Sequence, residues 1–286
     1  MTDTDALPAT PGTLAFIGGG NMARSLIAGL LGDGTAAASI QVAEPVPGVR
    51  EALHRDFDVP VFSDNSDAVA GAGTWLLAAK PQVMRDICEA LSGPAQAASP
   101  LVVSIAAGIT TAQLERWLGG GLPIVRAMPN TPALLGAGVT GLFANARVDA
   151  DGRACAERLL ASAGPVVWLD DEALLDAVTA VSGSGPAYVF LLAEAMLDAA
   201  RAQGLPEAAA RTLVLRTILG AARMLVEEDA TPAELRARVT SGGGTTEAAI
   251  EVFEHGRLPA LVGDAIDAAS RRSRELSRQF EQAPCA

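Results

Sequence analysis

The chain has 286 residues, half of them hydrophobic, and a formal net charge of −12. That length suits two domains of ordinary size. The acidic balance, with basic residues gathered only at Arg271, Arg272 and Arg274, excludes a nucleic-acid partner.

Gly, Pro, Glu or Arg interrupts each apolar run, so no membrane span is expected. The acidic start, MTDTDALPATPG, lacks a basic-apolar signal pattern, which makes a cytoplasmic location the expectation. Cys88, Cys155 and Cys285 are odd in number and without CxxC spacing, which argues against a disulfide framework or a zinc site. Reactive side chains are few: His54, His255, Tyr188 and a single lysine, Lys80.

Residues 13–44 read as βαβ, with an apolar strand at 14–17, a turn at Gly18-Gly19-Gly20, a helix over 21–31 and a second strand at 40–43. A helical pattern follows near 49–57. Strands recur at 74–79, 101–104, 124–127, 139–144 and 166–169, with helices at 82–91 and 111–117. This alternation predicts an α/β dinucleotide-binding domain of the Rossmann type over 1–169, built on a parallel, doubly wound sheet. From 170 to 286 apolar residues recur at three and four, broken by Pro or Gly. That half is expected to be all helical, with apolar faces that need a second subunit to cover them.

The stretch AFIGGGNMARSL fits G-x-G-x-x-A through Gly18, Gly20 and Ala23. The first glycine permits the turn, the second lets a pyrophosphate approach the backbone, and the small third residue packs helix on strand. Glu44 ends the second strand about two dozen residues further on, where a carboxylate accepts from ribose hydroxyls. Asn65 and the AAKPQ turn also follow strands and read equally as cofactor contacts or as ordinary turns. SIAAGIT, RAMPNTPA and VSGSGPAYVF each carry a functional and a packing reading of similar weight.

VTSGGGTTEAAI, residues 239–250, is the most unusual segment. Ser241, three glycines and two threonines open a helix with successive N–H donors, which makes an anion nest at a helix N-terminus. The plain alternative is a glycine-rich helix start capped by Thr245 or Thr246.

Taken in order, FIGGGNMA, KPQ, AAGI, MPNTPA, AVSGSGPAY and VTSGGGTTEAAI resemble the pyrroline-5-carboxylate reductase family over about residues 13–276. Gly242 stands where that family usually has proline. The resemblance implies reduction of L-1-pyrroline-5-carboxylate to L-proline by NADPH or NADH, and an interlocked dimer built through the helical half. It further implies a ring of five dimers in which one chain's substrate loop faces another's cofactor. It makes Gly18, Gly20, Asn21 and Met22 the cofactor turn, with Glu44 and Asn65 beside the adenosine ribose. Ala79, Lys80 and Pro81 flank the cofactor, and Ala106 and Ala107 lie near its nicotinamide. Glu172, Arg238, Ser241, Gly243, Gly244, Thr245 and Thr246 are the implied substrate contacts, with Thr246 as the catalytic group.

In that mechanism the imine arrives protonated, so no strong general acid is needed, in keeping with the short inventory above. Glu44 favours NADH, because it meets the 2′-phosphate of NADPH as a like charge, and Arg50 or Arg24 is available to offset it. A β-hydroxyacid dehydrogenase is disfavoured, since those enzymes rely on a lysine in the helical half and none is present here. A non-catalytic dinucleotide sensor remains the reading from another class.

Overall fold

A computed structural model describes residues 12–282; the acidic N-terminal stretch and Cys285 lie outside the described residues. The first part of the chain alternates strand and helix: β1 (Thr13–Ile17), α1 (Asn21–Gly32), β2 (Ile40–Ala43), α2 (Pro47–Phe57), β3 (Val61–Phe62), α3 (Asn65–Val69), β4 (Ala72–Leu77), α4 (Pro81–Ala90) and α5 (Ser92–Ala98). It continues through β5 (Leu101–Ser104), α6 (Thr111–Trp117), β6 (Ile124–Met128), β7 (Thr140–Ala144), α7 (Ala150–Ala161), β8 (Val166–Trp168) and α8 (Leu174–Val178). The remainder is helical: α9 (Gly185–Ala202), α10 (Glu207–Glu227), α11 (Pro232–Arg238), α12 (Thr245–His255) and α13 (Leu258–Gln282).

The eight strands form one sheet in the order β3-β2-β1-β4-β5-β6-β7-β8. Its middle strands are buried on both faces, as parallel strands covered by helices must be. In β1, Leu14 and Phe16 point into one apolar cluster with Leu26, Ile27 and Leu30 of α1, while Ala15 and Ile17 enter the opposite cluster with Trp75 and Met84. Strand β1 pairs with β2 on one side and β4 on the other. The chain therefore reverses its winding there and opens a crevice at the carboxyl ends of β1 and β4.

Three features depart from the sequence expectation. The sheet is not wholly parallel: β7 runs antiparallel to β6, and β8 is parallel to β7. Alternation alone does not reveal this, because a strand reads the same in either direction. The short elements β3, α3 and α5, and the helix α7, had no clear periodic signal. Of these, α3 and α7 begin with side-chain caps, Asp64 accepting from Ser66 N at 2.7 Å and Asp149 from Gly152 N at 2.8 Å.

The third concerns the division of the chain. The compact units are residues up to Gly183 together with those from Ala269, and Ser184–Ala268, whereas the change of sequence character falls at 170. Helix α8 still packs on the sheet: a Cβ on Gly141 of β7 would stand 2.8 Å from Val178 Cγ1. Phe280 of α13 packs back on the sheet's second apolar cluster.

In the helical unit, α9 and α12 bury no residue, and Phe190, Leu191, Val226 and Val252 are exposed. An 18-residue window within Leu174–Ala202 has a mean hydropathy of 1.3, and by length and composition alone this stretch could cross a membrane. Within it, Gly183, Gly185, Pro186 and Glu194 interrupt the apolar run. Thr179–Gly183 form a π-helical turn, and Pro186 sits in the first turn of α9, where its missing N–H breaks nothing.

Gly29 of α1 fixes how closely α1 meets the end of α7. A Cβ there would come within 2.4 Å of the Ser162 carbonyl oxygen. Gly29→Ala is expected to cost about 1–3 kcal/mol through overpacking, read as a lower denaturant midpoint at unchanged slope.

Candidate active site

Gly18 leaves β1 with φ +104°, and a Cβ on it would stand 3.0 Å from the backbone C and O of Ala78 and N of Ala79. Only glycine fits that conformation and that approach. The turn is stitched to both neighbouring strands: Gly18 N donates to Ala43 O at 2.9 Å and Ala78 N to Ile17 O at 2.8 Å. Gly20 is the N-cap residue of α1, without a side-chain cap, and nothing lies within 4 Å of where its Cβ would be. The first-turn N–H groups of Asn21 and Met22 have no intrahelical partner, as at any helix start. Ala23 is buried, as the small third position of the motif requires.

Glu44 lies beside this turn with both carboxylate oxygens engaged. Oε2 accepts from Gly19 N and Oε1 from Val46 N, each at 3.0 Å. Arg50 Nη1 donates to the carbonyls of Glu44 at 2.7 Å and Pro45 at 2.8 Å. Arg24 is committed elsewhere, paired with Asp56 and stacked 4.9 Å over Phe57, and its guanidinium holds the Asp56 carboxyl below the usual range. Of the two arginines, only Arg50 stands beside Glu44.

The other cofactor candidates follow the strand ends. Asn65, half-buried, opens α3 just past β3. Ala79 lines the crevice, exposed Lys80 is the N-cap residue of α4, and Pro81 is its first residue. Beyond β5, Ala106 is buried, its N–H donating to Ser104 Oγ at 3.3 Å, and Ala107 is half-buried. Gly18, Gly20, Glu44 and the Ala79–Pro81 turn thus converge on one edge of the sheet.

The MPNTP loop is fastened on two sides. Asn130, buried, donates to Ser182 O at 3.2 Å and accepts from Val139 N at 3.0 Å, and Ser25 Oγ of α1 donates to Ala133 O at 2.6 Å. Gly183 admits Met128, whose Cε would lie 2.6 Å from a Cβ there. In this chain the loop and the SGSG segment hold each other.

Glu172 is drawn into structure. Its Oε1 accepts from Thr111 N at 2.7 Å and Arg126 Nη1 at 2.8 Å, and its Oε2 from Thr111 Oγ1 at 2.7 Å. Arg126 was absent from the sequence-derived site. Its signal is a charge inside the apolar strand IVRAM, which needs a carboxylate partner wherever the fold can supply one.

In the helical unit, Arg238 closes α11 and its guanidinium is held by Glu228 at 2.6 Å. Ser241 through Gly244 form a turn, with Gly244 N donating to Ser241 O at 3.0 Å and Gly243 at φ +69°. The N-cap of α12 is Gly244, with no side-chain cap, so Thr245 and Thr246 are its first two residues rather than its caps. Their N–H groups lack intrahelical partners. Thr246 is half-buried, while Ser241, Gly243 and Thr245 are exposed.

Two family models match: "Pyrroline-5-carboxylate reductase dimerisation" over residues 172–276 and "NADP oxidoreductase coenzyme F420-dependent" over residues 13–108. The pyrroline-5-carboxylate reductase of Pseudomonas aeruginosa is 52% identical, covering 94% of this chain and 98% of its own. The chain belongs to the pyrroline-5-carboxylate reductase family. The solved structure of the Coxiella burnetii reductase is 42% identical with a TM-score of 0.89, over 93% of this chain and 98% of that one. The Plasmodium falciparum pyrroline carboxylate reductase, solved with NADP bound, is 26% identical with a TM-score of 0.83, over 94% and 99%. The family's dimerisation region coincides with the helices whose apolar faces are uncovered in the single chain.

Glu172→Ala leaves the Arg126 side chain, 11% exposed, without its carboxylate. The expected cost is about 2–3 kcal/mol, below that of a fully buried pair because the Glu172 side chain is 23% exposed. Chemical denaturation measures it, and a raised KM at unchanged stability would assign Glu172 to substrate binding instead.

Proposed function

We infer that this chain reduces L-1-pyrroline-5-carboxylate to L-proline with a reduced nicotinamide dinucleotide, as the last step of proline biosynthesis. The observation that carries the reading is the uncapped start of α12 behind the Ser241–Gly244 turn, in a chain whose sheet edge is built as a dinucleotide cradle. The cradle fits such a cofactor: Gly20 leaves open space before the free first turn of α1, and Gly18 lets the turn close on Ala78–Ala79.

The cofactor supplies the hydride for the carbon of the C=N bond. The residues of the chain bind and orient. Gly18, Gly20, Asn21 and Met22 take the pyrophosphate, Glu44 and Asn65 the ribose side, and Ala79, Lys80, Pro81, Ala106 and Ala107 the flanks. The N–H groups of Thr245 and Thr246 receive the substrate carboxylate, with Ser241, Gly243 and Gly244 shaping the turn before them. The Thr246 hydroxyl accepts a hydrogen bond from the protonated ring nitrogen and holds the imine carbon in line. Arg238, held by Glu228, adds positive potential from the end of α11. Because solvent protonates the imine, the reaction needs no Lys, His or Tyr acid.

In this reading the apolar helices, Leu174–Ala202 included, are covered by a second copy rather than by lipid, and the protein is cytoplasmic. A ring of five dimers is the larger arrangement.

Loss of reduced-nicotinamide absorbance on adding pyrroline-5-carboxylate tests the activity, and its absence would leave the sensor reading. Thr246→Ala is expected to lower kcat/KM for the imine roughly ten- to a hundredfold, the loss of one oriented hydrogen bond, with NADPH affinity retained. Wild-type kinetics in that variant would reduce Thr246 to a helix-start residue.

Cofactor choice follows from Glu44 and Arg50. Glu44 repels the 2′-phosphate of NADPH by about 1–4 kcal/mol at partly exposed separations, and Arg50 offsets part of this. The expected outcome is a preference for NADH that narrows at high salt. Glu44→Ser should raise relative use of NADPH and Arg50→Ala should lower it. Steady-state comparison of both cofactors at two ionic strengths decides the matter; an NADPH preference unchanged by Glu44→Ser would turn Glu44 away from the ribose.

A further inference from the structure

Two hydrogen bonds hold the glycine loop ahead of α12. Gly244 N donates to Ser241 O at 3.0 Å, closing a four-residue turn, and Gly243 N donates to Glu247 Oε2 at 2.6 Å. The second bond is a variation on a familiar cap. A glutamate at the third helical position ordinarily accepts from the N–H of the N-cap residue. Here the N–H of the N-cap residue, Gly244, is taken by Ser241, and Glu247 reaches one residue further back.

The two central residues of the turn are both glycine, but only one needs to be. Gly243 has φ +69° at the third position, which marks a turn of type II. Gly242 is outside the left-handed region, and nothing lies within 4 Å of where its Cβ would stand. The second position of a type II turn favours a residue with φ preset near −60°. Glycine there leaves a free torsion next to the N–H groups that must be held in place.

We propose that Glu247 is a positioning residue: its carboxylate braces Gly243 and supplies the rigidity that Gly242 does not. The proposal rests on the reading that this loop receives the substrate carboxylate. Glu247 acts through Gly243, removing that N–H from the donors on offer and fixing the direction of those of Thr245 and Thr246. An ionised acceptor suits the task, because a charge-assisted bond is roughly twice as strong as a neutral one, and the helix start favours a negative charge.

The test uses the full chain with Glu247→Ala, Glu247→Gln and the double variant Gly242→Pro/Glu247→Ala. Loss of the brace should raise KM for pyrroline-5-carboxylate about tenfold, while KM for NADPH stays within about twofold of wild type. Hydrogen exchange at the Gly243 amide should accelerate by a similar factor, since it reports local opening independently of turnover. Glu247→Gln keeps an acceptor oxygen but loses the charge assistance, and should fall about midway, roughly threefold from wild type, in both readouts. Proline at 242 restricts the torsion directly and should return the double variant most of the way to wild type.

Unchanged KM and exchange in Glu247→Ala would overturn the proposal, as would failure of proline to rescue either readout. A lower KM in both single variants would also overturn it, marking Glu247 as a charge that competes with the substrate. Should the wild type prove inactive on the imine, the substrate reading fails, and Gly243 exchange still decides the brace.

Discussion

The dinucleotide half depends on a backbone-to-backbone approach between β1 and β4, strands that are neighbours in the sheet but more than fifty residues apart in the chain. At Gly18 the backbone swings to φ +104° against the Ala78 carbonyl, where a Cβ would stand 3.0 Å away, tighter than nearly all real Cβ contacts. The same turn is tied to β2 through Gly18 N and Ala43 O, and to the Glu44 carboxylate through Gly19 N. Three strand ends and the start of α1 therefore meet at one residue that lacks a Cβ. A side chain there would separate the strand ends that form the crevice. The open first turn of α1 and the position of Glu44 both follow from that single approach.

A second constraint is the buried charge on β6. Arg126 is 9% exposed in an apolar strand, and its burial is tolerable because Glu172 and Thr111 form one network with it. That network draws the chain after β8 back to the sheet. The change in sequence character at 170 and the division of compact units at 183 therefore fall at different places. Asn130 and Ser182, with Met128 against Gly183, extend the same attachment.

The helical unit has another logic. Its helices place few side chains out of water in the single chain: Ala210, Val214 and Leu235 are buried, while Phe190 and Leu191 are about two-thirds exposed, at 67% and 66%. Apolar faces of that extent are what a dimerisation region requires, and membership of the family accounts for them. Within this unit the glycine loop has little packing to hold it, which is why its shape rests on hydrogen bonds to Ser241 and Glu247.

The sequence by itself determined the elements whose signal is local. Glycine spacing after an apolar strand located the cradle, helical periodicity defined the second half, and the run SGGGTT located the start of a helix. Strand direction at β7 and β8, the short β3 and α3, and the grouping into compact units were decided only by tertiary pairing, because two residues or one reversed strand carry no period of their own. The same holds for side-chain commitments. Glu172, a substrate contact by family resemblance, is held by an arginine 46 residues away, and Arg24 is diverted by an aspartate 32 residues away. A side chain's identity is written in the chain, but its hydrogen-bond partner is set by which distant residue the fold brings within about 3 Å.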